Sequence, residues 1–239
     1  MKKAIVIGAS SGIGRQLAVL LAQNNYKVGI TGRRDQLLLN LKVTNPDNFI
    51  VSVFDVTDGA NLAQKLNQLV NELGGGLDLL ILSSGTGKIN PPLNQDIEQN
   101  TNAVNVIAFT TIACWAFNFF QQQGYGQFAA ITSVAATRGS RHAPAYGASK
   151  AYQVNYLQGL RQKAGNLKLP IVITDVRPGF VDTAMAQGEG LFWVASVEKA
   201  SNQIYRAIEN KRNVVYITNR WRLVAFIFRL VPGWVYNRA

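Results

Sequence analysis

Acidic residues are scarce in this chain, and histidine and cysteine are almost missing. With 24 Lys and Arg against 13 Asp and Glu, its 239 residues carry a formal net charge of +11 and a sequence pI of about 10.0. Such a balance favours anionic partners: a nucleotide, an acidic lipid or a nucleic acid. The single cysteine, Cys114, excludes an internal disulfide and suits a reducing compartment. One histidine beside one cysteine leaves no zinc cluster, so no metal site is expected, and a Ser-His-Asp triad could only use His142. A long apolar leader is lacking too: Met1-Lys2-Lys3 and the run Ala4 to Ile7 imitate a signal peptide only until Gly8 cuts them short. A buried first strand and a cytoplasmic protein are the expectation. No linker, low-complexity tract or solenoid repeat divides the chain, so residues 1–239 read as one domain. No recognition helix or RNA-binding aromatic motif accompanies the charge, so no specific nucleic-acid partner is expected.

What the chain does have is alternation. Apolar runs at 3–7, 27–31, 49–54, 77–82, 128–132, 170–176 and 213–217 read as strands buried on both faces. Between them, Leu62, Leu66, Leu69 and Leu73 mark one helix face, and Ile204, Ala207 and Ile208 another. Ala103 to Phe120 is apolar nearly all round, which suits a helix packed on the sheet and on a second surface such as another subunit; a homo-oligomer is expected. Repeated strand–helix alternation implies an α/β fold with a parallel sheet, right-handed crossovers and helices on both faces.

Strand one runs straight into Gly8-Ala9-Ser10-Ser11-Gly12-Ile13-Gly14, and Gln16 to Leu21 then reads as helix. Glycine there permits positive φ and close approach of backbone to a phosphate. The helix N-terminus adds free N–H groups and partial positive charge. A tight strand-to-helix turn without a ligand is the plain alternative, since the spacing is not G-x-G-x-x-G. Further on, Tyr146 and Lys150 stand four apart in a helical segment, which puts both on one face. Alone, that spacing is common on helices and usually marks a solvated pair.

Taken in order, these pieces resemble the short-chain dehydrogenase/reductase family. The glycine spacing is similar to its T-G-x-x-x-G-x-G motif, with Ile7 replacing threonine. Asp55-Val56-Thr57-Asp58 is similar to the family's D-V-T/S-D stretch, and Asn105 to the asparagine of its middle helix. Ser133, Tyr146 and Lys150 resemble its catalytic set, the serine and tyrosine thirteen positions apart. Pro178-Gly179 and Thr183 resemble the segment beside the nicotinamide. The resemblance covers roughly residues 1–217. Where the family has N-N-A-G, this chain has Leu82-Ser83-Ser84-Gly85, so the hydrogen bonds of the lost asparagines are either absent or replaced, and Ser83 and Ser84 could supply some of them.

The resemblance implies a single Rossmann-type, doubly wound sheet of about seven strands. It also implies a cofactor site built from Gly8, Ser10, Ser11, Gly12, Ile13, Gly14, Asp55, Val56, Ser84, Gly85, Tyr146, Lys150, Pro178, Gly179 and Thr183. At the end of strand two, NAD sites carry an acid and NADP sites carry arginine near the 2′-phosphate. This chain has Thr31-Gly32-Arg33-Arg34, so NADP(H) is the expected cofactor, read by Arg33 and Arg34.

The implied reaction interconverts a carbonyl and an alcohol on a small molecule. Tyr146 serves as general acid/base, Ser133 as hydrogen-bond donor to the substrate oxygen, Lys150 as partner of the nicotinamide ribose and Asn105 as part of a water-linked proton path. A neighbouring ammonium, with the cationic nicotinamide, should lower the tyrosine from its reference pKa of ~10. A non-catalytic NADP-binding regulator on the same fold is the alternative, against which the intact Tyr146, Lys150, Ser133 and Asn105 stand.

The segment 184–196, with Gly188, Gly190, Leu191, Phe192 and Trp193, reads as a lid over a hydrophobic substrate or as a packed loop. Residues 219–239 form a basic aromatic tail. Three arginines from Arg220 to Arg229 and an apolar remainder suit a helix lying on a membrane surface, and equally one packed on the domain or a subunit.

Overall fold

Each apolar run becomes a strand because glycine or a polar turn ends it, and each amphipathic stretch becomes the crossover between two strands. In chain order the elements are β1 (Lys2–Ile7), α1 (Gly12–Gln23), β2 (Tyr26–Gly32), α2 (Asp35–Val43), β3 (Phe49–Val53), α3 (Gly59–Glu72) and β4 (Leu79–Leu82). Then follow α4 (Gln95–Asn102), a π-helical stretch (Ala103–Ala108), α5 (Phe109–Gln123), β5 (Gly126–Ile131), α6 (Pro144–Leu167) and β6 (Ile171–Pro178). The chain closes with α7 (Val197–Glu209), β7 (Val214–Ile217), α8 (Arg220–Leu230) and the short α9 (Gly233–Tyr236). These elements come from a computed structural model that describes residues 1–186 and 191–236.

The strands form one seven-stranded sheet in the order β3-β2-β1-β4-β5-β6-β7, every pair parallel. This is the Rossmann-type α/β sheet. Strand periodicity sends Ile5 and Ile7 to one face and Ala4 and Val6 to the other. On the first face Leu66, Phe109, Ile112, Phe117 and Leu157 cover the sheet. On the second, Leu17, Leu21, Leu38, Ile204 and Ile208 do so. Each such side chain contributes about 1.5–3 kcal/mol on leaving water, so two filled layers need no disulfide. The order of strands reverses between β1 and β4, which opens a crevice at their C-terminal ends.

The helix expected over Ala103–Phe120 is the middle of a longer rod. Asn94 caps its start by accepting from the Asp96 and Ile97 amides, and Gly124, at φ 90°, ends it. By length and composition Gln95–Gln123 could cross a membrane, yet Phe109, Ile112, Phe117 and Phe120 are spent on the sheet. The π-helical turn within it displaces carbonyls from the regular ladder. One of them, on Asn105, finds another partner in the site below.

Candidate active site

The glycine loop is shaped by contacts that leave no room for a side chain. Gly8 has φ +90°, and a Cβ there would lie 2.6 Å from the Ser84 amide nitrogen. A Cβ on Gly14 would overlap the Gly8 carbonyl oxygen. The Gly8 and Ala9 amides both donate to the Thr31 carbonyl, which fixes the loop to β2. Gly12 lies against the Thr183 methyl, so the segment after β6 reaches back over the loop. Helix α1 starts at Gly12 with no side-chain cap and no acid in its first turn, leaving its amides free to receive an anion. Ile13 is half-buried against the second core and Val56 is buried.

The two arginines after β2 take different places. Arg34 lies on the loop: its Nε and Nη2 donate to Ser10 Oγ at 3.1 and 2.7 Å, and Nη2 donates to Ser11 Oγ at 2.6 Å. Arg33 instead meets Asp55 Oδ2 at 3.4 Å and is largely exposed. Asp55 also accepts from the Thr57 amide and hydroxyl. Desolvation works against its ionisation, but those two hydrogen bonds and Arg33 outweigh it and hold the carboxyl below its ordinary value.

Past β4 and β5 the catalytic candidates come together. Ser133 follows β5 by two residues and caps the 3₁₀ turn Val134–Thr137 by accepting from the Ala135 amide, while its hydroxyl hydrogen-bonds Tyr146. Pro144 starts α6, whose first turns carry Tyr146 and Lys150. Lys150 is 3% exposed; its ammonium donates to the Ile131 carbonyl and to Gln153 Oε1, each at 3.0 Å. Asn105 is fully buried and clamps the strand-four loop, accepting from the Thr86 amide at 2.9 Å and donating to the Thr86 carbonyl at 2.7 Å. Gly85 lies between Asn105 and Lys150: a Cβ there would stand 3.5 Å from each side chain. Ser83 donates its backbone amide to the Ile7 carbonyl, and the main chain of Ser84 stands against Gly8, so backbone forms this wall where the family has asparagines.

One expectation changes. Burial pushes the Tyr146 phenol up, and only the Ser133 hydrogen bond opposes it. The Lys150 ammonium lies over the tyrosine ring, 5.8 Å from its centre, and is held by Ile131 and Gln153. Burial pushes Lys150 itself down to about 8, against the pull of Asp175. Asp175 is fully buried beside Arg177, 2.7 Å away, and accepts from Thr132 at 2.6 Å.

Gln153 escaped the sequence reading. It is 2% exposed, and besides meeting Lys150 it donates to the Asn105 carbonyl at 2.8 Å. The signal was available: it is a polar residue three positions after Lys150, on the same helical face. His142, by contrast, is exposed and its ring accepts from Arg141 Nε. Pro178 and Gly179 close the far wall, where Trp221 covers Gly179 and meets Phe180 and Phe192 at ring distances of 5.2 and 5.1 Å. Gly188 and Gly190, singled out in the expected lid, lie outside the described residues.

This arrangement agrees with a family match: the description "short chain dehydrogenase" fits residues 2–191. The chain belongs to that family. Proteins of similar sequence include an uncharacterized oxidoreductase of Staphylococcus aureus (strain USA300), 29% identical over 187 residues, which are 77% of this chain and 80% of the relative. Another, from Staphylococcus epidermidis (strain ATCC 35984), is 27% identical over 190 residues, 78% of this chain and 81% of its own. Among solved structures, a short-chain dehydrogenase from Streptomyces avermitilis superposes with a TM-score of 0.81 at 20% identity, covering 96% of this chain and 92% of its own. ElxO with NADP bound reaches 0.79 at 21% identity, covering 90% and 96%. At that identity the two structures speak for the fold.

Proposed function

We propose that this short-chain dehydrogenase is an NADPH-dependent oxidoreductase that interconverts a carbonyl and an alcohol, with Tyr146 as its general acid/base. The observation that carries the reading is the convergence of Ser133, Tyr146, Lys150 and Asn105 at the C-terminal ends of β4 and β5, beside a glycine loop that admits no side chain. The residues present fit a dinucleotide phosphate: uncapped amides at α1, a cradle that a Cβ would fill, and the Arg34 guanidinium on Ser10 and Ser11. Arg34 is the better placed of the two arginines for a 2′-phosphate, and Arg33 with Asp55 for the adenine side. The ElxO relative, which binds NADP, supports the same choice. When bound, the nicotinamide supplies or accepts the hydride.

The protein's own groups handle the proton. In the reductive direction Tyr146 donates its hydroxyl proton to the substrate oxygen, and Ser133 donates a hydrogen bond that stabilises the charge growing there. Lys150 holds positive charge under the ring and, in this reading, reaches the ribose hydroxyls. Because burial raises the Tyr146 phenol, the neutral acid is the resting form, which suits carbonyl reduction. Residues 184–196 act as the lid and 219–239 as the tail of a single cytoplasmic domain. The cluster of Phe180, Phe192, Trp193 and Trp221 supports a hydrophobic substrate. The exposed side of the long rod, with Ile107 66% exposed, supports a homo-oligomer.

Tyr146→Phe tests the reading. NADPH affinity by fluorescence titration should survive, while turnover on a panel of aldehydes and ketones should fall about 10²–10⁴-fold. Unchanged turnover would remove Tyr146 from the mechanism.

A further inference from the structure

Helix α8 is anchored on one side and bare on the other. Trp221 and Ala225 are buried, and Arg138 holds the far end by donating to the Phe228 and Val231 carbonyls. Opposite that anchored side stand Leu223, Phe226, Ile227 and Leu230, spaced i, i+3, i+4 and i+7 and 48–65% exposed. Trp234, 69% exposed, extends the apolar surface. Helical spacing sets Arg222 and Arg229 along one margin of the stripe. After Glu209 the sequence contains no Asp or Glu but six cations: Lys211, Arg212, Arg220, Arg222, Arg229 and Arg238. Among the described residues no carboxylate pairs with Arg220, Arg222 or Arg229.

From this geometry we propose that the outer face of α8 docks on an anionic lipid bilayer. An apolar stripe with arginines at its margin and no acid nearby is complementary to acyl chains beneath negatively charged headgroups. A second copy of the same face would set the arginines of the two chains against each other, whereas an anionic leaflet neutralises them. The aromatic anchor on Trp221 keeps the helix in place without consuming the stripe, so docking needs no unfolding.

The test is sedimentation of the full chain with vesicles of phosphatidylcholine alone and of phosphatidylcholine mixed with phosphatidylglycerol. Binding is expected only to the mixed vesicles and should fall as salt rises. Leu223→Ser with Phe226→Ser should abolish it, and both positions are exposed, so the fold should be kept. Arg222→Gln with Arg229→Gln should weaken it on the order of thirty-fold, from roughly 1 kcal/mol per cation at such a surface. Absence of binding, or equal binding to both vesicles, would overturn the proposal. So would a wild-type dimer, seen by analytical ultracentrifugation, that Leu223→Ser with Phe226→Ser dissociates.

A separate observation concerns Gln153, and its functional consequence rests on the proposed reaction. The buried amide links the Asn105 carbonyl, displaced by the π-helical turn, to the Lys150 ammonium. We infer that Gln153 is a positioning residue that sets the charge and place of Lys150 under Tyr146. The other groups facing that ammonium are the Ile131 carbonyl, the Tyr146 ring and, through space, Asp175. NMR titration of the Lys150 side chain should move to lower pH in Gln153→Leu, which removes the acceptor, and to higher pH in Gln153→Glu, which adds a charge. The alkaline limb of the kcat/KM profile should follow in the same two directions. Identical Lys150 titrations in all three proteins would overturn the inference. That titration needs no turnover, so its failure is distinct from failure of the proposed reaction, which Tyr146→Phe reports.

Discussion

Gly14 and Gly179 both press so hard on a neighbour that neither has room for a Cβ, but what they press on differs in kind. Gly14 meets the carbonyl of Gly8, main chain on main chain, whereas Gly179 meets the indole of Trp221. A carbonyl fixed between β1 and α1 cannot give way. An indole at the start of α8 can turn about its own bonds. One wall of the cleft is thus cut to a single shape and the other is adjustable. The first suits a ligand that never varies, the second a substrate that differs from one enzyme to the next.

The largest effect that could break this contrast is expected at the rigid wall. Gly14→Ala should destabilise the fold by at least about 3 kcal/mol in urea unfolding, while Gly179→Ala should cost clearly less because Trp221 can swing away. Equal costs would show that the second wall is as fixed as the first. Next, Trp221→Ala should cost about 3 kcal/mol by emptying the aromatic cluster, and Trp221→Phe less than about 1.5, since the indole nitrogen has no partner to lose. Arg34→Ala should weaken NADPH binding by about 2 kcal/mol relative to NADH, because a charge-assisted contact is removed. The exposed Arg33→Ala should cost below about 1 kcal/mol with either cofactor. Isothermal titration with both cofactors separates the two arginines, and the opposite ranking would exchange their roles.

The last effect is one of pH. Lys150 is held at about 8 when folded, against an ordinary 10.5. Between those values the unfolded chain binds the extra proton, so stability should rise with pH from about 8 towards 10.5 through this group. Comparing unfolding of the wild type with Lys150→Met across that range isolates the rise. A constant difference would mean that Lys150 is not held low.

Most of the sheet could be read from the sequence because its inner strands are largely buried, while the edge strands β3 and β7, expected buried on both faces, are part-exposed. All seven apolar runs match a strand, since continuous aliphatic stretches cut by glycine have few other outcomes in a chain of this pattern. The glycine loop was as legible, because spacing alone dictates where backbone must touch backbone. Three features were not. No residue type marks a π-helical turn, so Asn105 was placed on a plain helix and the carbonyl that Gln153 satisfies stayed hidden. Arg33 and Arg34 differ by one position, but only the turn after β2 decides which faces the loop. The direction of the Tyr146 shift depended on burial of its phenol, and a spacing of four residues fixes the face without fixing the depth. The seams of the expected lid were also beyond reach, with Gly188 and Gly190 outside the described residues.

The place of β1 also bears on how the molecule comes into being on the ribosome. It is first in the chain yet third in the sheet, paired to β2 on one side and β4 on the other. Its partner β2 has emerged once Gly32 is made, and β3 pairs onto β2 once Val53 follows, so those pairings span short stretches of chain. On the β4 side, Ile7 must wait for Leu82, and β5 to β7 can only add outward from there. Until then, one edge of β1 offers unpaired amides and carbonyls to any passing strand. The nascent chain therefore has a vulnerable interval that opens when β1 is made and closes when β4 docks, long before α6 has been synthesised.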